Sequence, residues 1–95
     1  MPAYVIADTI IENPALWDEY KRQVPATVER YGGRFAVRGG KFDVLEGTPG
    51  FHRIVMLEFP DMDAARRWYA SPEYAPLIEL RQRAGKAHLT LVEGV

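Results

Sequence analysis

Tyr31-Gly32-Gly33-Arg34-Phe35-Ala36-Val37-Arg38-Gly39-Gly40-Lys41-Phe42 carries the chain out of one element and into the next two. Gly32-Gly33 stops a helix. Arg34 to Arg38 reads as a strand. Gly39-Gly40 is able to hold positive φ at both central positions of a type I′ turn, which predicts a two-residue hairpin into a further strand over Lys41–Glu46. That register sets Arg38 opposite Lys41, Val37 opposite Phe42 and Phe35 opposite Val44. Phe35, Val37, Phe42 and Val44 then share an apolar face, with Arg34, Arg38, Lys41 and Asp43 around Ala36 on the other. Because a one-residue slip would exchange those faces, the register is well specified. On its face Arg38 is either solvated or paired with Asp43, or else it is aimed at a ligand.

Upstream, Ala3–Ile11 is a nearly continuous apolar run, the pattern of a strand covered on both faces and hence central in its sheet. Asp8 interrupts it on the face of Tyr4, Ile6 and Ile10. It is an end-of-strand aspartate reaching water or an arginine, or it is a pocket carboxylate. Asn13-Pro14 supplies a helix cap followed by a first-turn proline. Trp17, Tyr20, Val24, Thr27, Val28 and Tyr31 form one buried stripe on the helix that follows. Pro25 falls inside that helix, where it removes a backbone donor and bends the axis.

Downstream, Gly47–Gly50 is a loop, and Arg53–Phe59 is a second strongly apolar strand, separate from Lys41–Glu46. Pro60-Asp61 opens a helix whose inner side carries Met62, Ala65, Trp68 and Tyr69. Ser71-Pro72 ends that helix and caps a third, with Tyr74, Leu77, Ile78 and Arg81 on one face. Gly85 closes the third helix, and Ala87–Glu93 is the last strand. The order is a split β-α-β repeat over a single domain, residues 1–95: an α+β, ferredoxin-like βαββαβ fold with an antiparallel sheet and its helices on one face. The other face of the sheet is then bare yet apolar. An apolar patch of that size predicts an interface, and the simplest cover is the same face of a second copy.

The bulk composition narrows the function classes. A 95-residue chain with a net charge of −1 and interspersed signs offers no basic patch for nucleic acid or an anionic membrane. It has no cysteine, which excludes disulfides, thiolate metal sites and a cysteine nucleophile. No long apolar run predicts a membrane span or a signal peptide, so a cytoplasmic location is expected.

The segments Gly32-Gly33-Arg34, Arg38-Gly39-Gly40 and Trp68-Tyr69-Ala70-Ser71-Pro72-Glu73-Tyr74, with Arg81 and the closing Val92-Glu93-Gly94, resemble the family catalogued as domain of unknown function 1330. That family stands within the dimeric α/β-barrel (ferredoxin-like) superfamily. The resemblance spans essentially the whole chain. It implies a ferredoxin-like homodimer in which two sheets pack into a barrel, and it implies no reaction. Other members of the superfamily are cofactor-independent monooxygenases, muconolactone-type isomerases and haem-dependent enzymes, an analogy at the level of fold alone.

The chemistry-bearing residues exclude more than they assign. His52 and His88 have no neighbouring carboxylate at a metal-ligand spacing, so no metal and no cofactor is expected. Ser71, the only serine, is explained as a helix cap and not as part of a triad. Gly39-Gly40 joins strands and does not open a helix, so it is no phosphate loop. What remains is Arg38, Trp68, Tyr69, Tyr74 and Arg81, with Asp8, as a candidate ligand-binding set between sheet and helices. Trp68 is also explained as core, and Tyr69 and Tyr74 as staples of the Ser71-Pro72 corner. Arg81 on an apolar face needs a carboxylate, from Glu58, from Asp8 or from a ligand. A small acidic or aromatic molecule suits aromatic walls and guanidinium groups. Two alternatives stand beside that reading. One is a cofactor-independent monooxygenase or isomerase using Asp8 or His88 as base. The other is a structural dimer without a ligand.

Overall fold

The computed structural model describes residues 1–95. Strand β1 (Ala3–Ile11) leads to helix α1 (Pro14–Arg30), strand β2 (Arg34–Arg38), strand β3 (Ile54–Phe59), helices α2 (Met62–Tyr69) and α3 (Ala75–Ala84), and strand β4 (Gly85–Glu93). The four strands form one antiparallel sheet in the order β2-β3-β1-β4. This is the ferredoxin-like βαββαβ arrangement. β1 is central, as its apolar run on both faces predicts. Val5, Ala7 and Thr9 are buried under the helices, while Tyr4, Ile6 and Asp8 are half-buried on the opposite, open face.

The helix ends follow from their sequences. The Asn13 side chain accepts the Leu16 N–H at 3.2 Å, and Asp61 accepts that of Ala64 at 2.7 Å. Gly32 ends α1 at φ +78°. The next residue, Gly33, has no room for a side chain: a Cβ there would stand 2.6 Å from the Phe59 ring. Ser71 accepts the Tyr74 N–H at 3.2 Å and donates to the Trp68 carbonyl at 2.7 Å. It therefore ties the corner between α2 and α3, and the regular helix begins three residues later than the Ser71-Pro72 signal predicts.

The core lies between the helices and the covered face. Phe59, Trp68, Tyr74, Tyr20 and Trp17 form a continuous ladder of rings, with centroid separations of 5.5, 4.1, 6.5 and 5.1 Å along it. Such pairs add to the stabilisation that burial of the rings supplies. The Trp68 Nε1–H donates to Thr27 Oγ1 at 3.0 Å, so the largest ring of the core leaves no polar atom unpaired.

The Gly39-Gly40 hairpin does not form. The ladder of β2 continues instead onto β3, where Arg38 lies opposite Val55 and the Gly39 N–H donates to the Ile54 carbonyl at 2.9 Å. Gly39 holds φ +70° but Gly40 has no positive φ, so the primed turn is not made. The segment from Gly40 to Phe51 is an arm without regular structure, and the predicted strand over Lys41–Glu46 is absent. Phe42, Val44 and Phe51 are exposed on it and Leu45 is 95% exposed. An alternating run such as Phe42-Asp43-Val44 becomes a strand only if something covers its apolar side, and this chain offers nothing there.

A second departure concerns which way β2 faces. Phe35 pairs with Leu57 but Val37 pairs with Met56, so Ala36 is an extra residue in a β-bulge. The bulge reverses the alternation. Phe35 and Arg38 both turn toward the helices, and Val37 turns to the open face. The expected grouping of Phe35 with Val37, and of Arg38 with Arg34, is thereby broken.

Candidate functional site

A cavity of about 40 Å³ opens between the covered face and helices α1 and α3. By the space one water needs, it holds roughly three waters. It therefore takes the head of a small molecule, and it is far smaller than the several hundred Å³ typical of pockets for drug-sized ligands. Trp17, Tyr20, Phe35, Trp68 and Tyr74 give it aromatic walls. Lys21, Arg38, Arg53 and Arg81 contribute four cationic residues to the lining, and no carboxylate or imidazole joins them.

Each arginine is placed by a local feature of the sequence. Arg38 arrives through the Ala36 bulge. Its guanidinium lies 4.3 Å from the Phe35 ring centroid, and its Nη2 donates to the Lys21 carbonyl at 2.7 Å. That carbonyl is free because Pro25, four residues on, has no N–H to give it. The interior proline thus creates the acceptor that holds Arg38. Arg53, immediately before β3, passes beside Gly39, where a Cβ would stand 2.6 Å from its Nε. Its guanidinium lies 5.2 Å from the Trp17 ring centroid. Burial, and then the charge of Arg38, lower its affinity for its proton. Arg81 comes from the inner face of α3 and is only 8% exposed.

Two buried side-chain polar atoms in the chain lack a hydrogen-bond partner: Arg53 Nη1 and Arg81 Nε. Both are guanidinium donors, and both residues line this cavity. The carboxylates that might have served them are engaged on the other face of the sheet. Glu58 pairs with Arg34 at 3.2 Å. Asp8 accepts the backbone N–H groups of His52 at 2.7 Å and Arg53 at 3.0 Å, and its other oxygen lies 3.2 Å from His52 Nδ1. The His52 backbone N–H is the largest influence holding Asp8 below the usual carboxylate range. Beside Arg81, the Tyr20 and Tyr74 hydroxyls bond to each other at 2.8 Å. Burial, and then Tyr74, push the Tyr20 hydroxyl well above its ordinary range, so it stays protonated.

Of the residues singled out in the sequence, Arg38, Trp68, Tyr74 and Arg81 come together around the cavity. Tyr69 does not: it is 48% exposed and lies along a separate groove with Arg66 and Leu91. Asp8 also stands apart, on the open face, and touches the site only through the backbone of Arg53. His88 is exposed on that same open face. The sequence reading missed Trp17, Tyr20 and Arg53. The first two read as members of the core stripe of α1, which they also serve. Arg53 reads in the sequence as the first residue of a strand.

Fold and cavity together define a ferredoxin-like α+β protein with a cationic, aromatic-walled cavity between its sheet and its helices. The chain belongs to the family described as Domain of unknown function (DUF1330), whose model matches residues 2–95. No curated protein matches it. Among solved structures it is similar to a protein of unknown function from Rhodopseudomonas palustris, at TM-score 0.77 and 18% identity over 99% of this chain and 82% of that one. A dimeric ferredoxin-like protein of unknown function from Jannaschia sp. CCS1 matches at TM-score 0.73 and 13% identity, covering 99% of this chain and 100% of that one. SnoaB, a cofactor-independent oxygenase from Streptomyces nogalater, matches at TM-score 0.69 and 18% identity over 99% and 93% of the two chains. At these identities the likeness is one of fold. No helix is long and apolar enough to cross a membrane.

Proposed function

We propose that this protein is a homodimer that binds a small acidic molecule, with a flat or aromatic body, in the cavity between sheet and helices. The observation that carries the reading is the pair of buried, unpartnered guanidinium atoms on Arg53 and Arg81 in a cavity lined by no acid. A buried cation left without a partner is strongly unfavourable, and a carboxylate is the group that arginine holds best. An acidic head fills the enclosed part, and the rest of the ligand lies toward the mouth, along Phe35 and Trp17.

The dimer is supported by the open face, where Ile6, Ile54, Met56 and Val37 stand without cover. The dimeric neighbour from Jannaschia supports it by analogy of fold. An oxygenase or isomerase reading that uses Asp8 or His88 as base is weaker. Both residues sit on the face of the sheet away from the cavity, and general-base chemistry requires contact with substrate, directly or through one water.

The test has two arms. Light scattering at micromolar concentration should give the mass of two chains, and a monomer mass would overturn the dimer. A thermal-shift panel of small carboxylates, each beside its neutral amide, should raise the melting temperature for acids alone. A panel in which no acid does so would overturn the ligand reading.

A further inference from the structure

We infer that the arm from Gly40 to Phe51 is a clasp for the second copy: it crosses the dimer interface and lies on the partner's β4 side, against Ile10, Lys86 and His88. This rests on the dimer reading above and names a contact that two bare sheets alone do not make. The arm has no support from its own chain. A Cβ on Gly40, Gly47 or Gly50 would meet no atom within 4 Å. Yet the arm carries Phe42, Val44, Leu45 and Phe51, all exposed. Apolar side chains held off the body of a protein gain only by burial against something else. A membrane surface does not suit them, because the arm sets one lysine against two acids and surface-binding segments are basic. Its roots join it to the open face. The Gly39 N–H donates to the Ile54 carbonyl at the exit, and Asp8, on the open face, accepts the His52 and Arg53 N–H groups at the return. Whatever covers that face therefore meets the arm as well.

The sheet register says where the arm falls. It leaves on the β2–β3 side, level with the row Ile54, Asp8 and His88. Ile10 and Lys86 form the next row on the same face and the same end of the sheet. Two kinds of two-fold axis stack the open faces with their strands aligned. An axis along the strands sets β2 over the partner's β4 and keeps like ends together, which brings the arm to Ile10, Lys86 and His88. An axis across the strands sets β2 over β2 with the ends reversed, which brings it to Arg34 and Glu58. Charge selects the first. Arg34 and Glu58 are already paired, whereas Asp43 and Glu46 on the arm and Lys86 at the far corner are in no ion pair of this chain. Exposed Ile10 offers Leu45 an apolar seat beside that lysine. Reach is sufficient: about five residues out and five back extend roughly 16 Å, and stacked sheets stand only about 10 Å apart.

The experiment uses the absence of cysteine from the chain. Leu45→Cys and Lys86→Cys are made singly and together, both at exposed positions, and treated with a short bismaleimide at the concentration where light scattering reports two chains. The double variant should give a two-chain band on a denaturing gel, as should a mixture of the two single variants, and neither single variant alone should do so. Independently, Leu45→Asp should raise the dissociation constant of the dimer in sedimentation by about tenfold or more. A dimer whose double variant gives no two-chain band, or in which Leu45→Cys links to itself, would overturn the clasp and leave the dimer standing. A dimer of unchanged affinity in Leu45→Asp would do the same. A parent protein with the mass of one chain would overturn both.

Discussion

The two faces of this sheet treat charge in opposite ways. On the open face the acids and bases are paired: Arg34 with Glu58 at 3.2 Å, and Asp8 with His52 at 3.2 Å and with two backbone N–H groups. On the helix-covered face exposed Arg38, half-buried Arg53 and buried Arg81 gather with no acid among them. For buried Arg81 and the buried Nη1 of Arg53, physical expectation runs the other way. Exposed ions have water and can stand alone, whereas buried ions need partners. The inversion leaves the covered face with buried donors that the chain itself does not satisfy, while the open face is internally balanced and apolar between its pairs. The first arrangement suits a small ligand, and the second suits another sheet.

The largest way to break this contrast is to remove what both faces depend on. Trp68 is buried beneath the helices, stacks on Tyr74 at 4.1 Å and donates to Thr27. Trp68→Ala should destabilise the fold by about 3–5 kcal/mol, the range for a large aromatic removed from a core. Urea unfolding followed by circular dichroism measures it. A loss below about 1 kcal/mol would mean that Trp68 is a cavity wall more than a core residue.

Pro25 tests how the cationic face was assembled. An interior proline costs a helix about 3 kcal/mol relative to alanine. Here the Arg38 bond to the freed Lys21 carbonyl offsets part of that, since bonds to charged groups contribute about 1.5–3 kcal/mol. Pro25→Ala should therefore raise stability by no more than about 2 kcal/mol. It should also weaken binding of acids, because the helix reclaims the carbonyl and Arg38 loses its anchor. A variant that is both more stable and equally good at binding would separate Arg38 from the site.

Arg81 sharpens the contrast directly. If Arg81 were half of a structural ion pair, removing it would cost about 3–5 kcal/mol. With no acid beside it, Arg81→Met should leave stability unchanged or raise it by about 1 kcal/mol while acid-induced thermal stabilisation disappears. Stability and binding should thus move in different directions in one variant. A large loss of stability would place Arg81 among the structural residues.

Much of this was legible beforehand, and the failures have physical causes. The order of elements, the caps at Asn13 and Asp61 and the place of Trp68 in the core follow from local pattern and composition, and the chain obeys them. The faces of β2 were misassigned because a bulge at Ala36 changes parity without leaving a mark on composition. The strand after Gly39-Gly40 was misread because a glycine pair signals a turn but cannot say which strand the ladder takes next. One signal was present and went unread: a proline inside α1 leaves an orphan carbonyl four residues back, and such a group calls for a donor. Arg53 gave no such notice, because its role depends on passing Gly39 from a neighbouring strand.

The smallest effect belongs to Asp8, and it separates the faces by pH. In the folded protein the Asp8 carboxyl is held below its ordinary value of 3.8, first by the His52 N–H. A carboxylate with a depressed folded pKa stabilises the native state above its unfolded pKa, and that contribution fades as pH falls through the folded value. Asp8→Asn should accordingly be less stable than the parent at pH 7, and the gap should close as pH falls below about 3.8. Urea midpoints measured from pH 7 to pH 2 would show two curves converging on the acid side. Asp8 lies outside the cavity, so binding of a permanently charged probe such as a sulfonate should not follow the same curve. If it does follow, the Asp8 contact with the Arg53 backbone reaches through the sheet, and the paired face sets the geometry of the unpaired one. If the midpoint gap stays constant with pH, the Asp8 hydrogen bonds contribute nothing to folding and the balance of the open face rests on Arg34 and Glu58 alone.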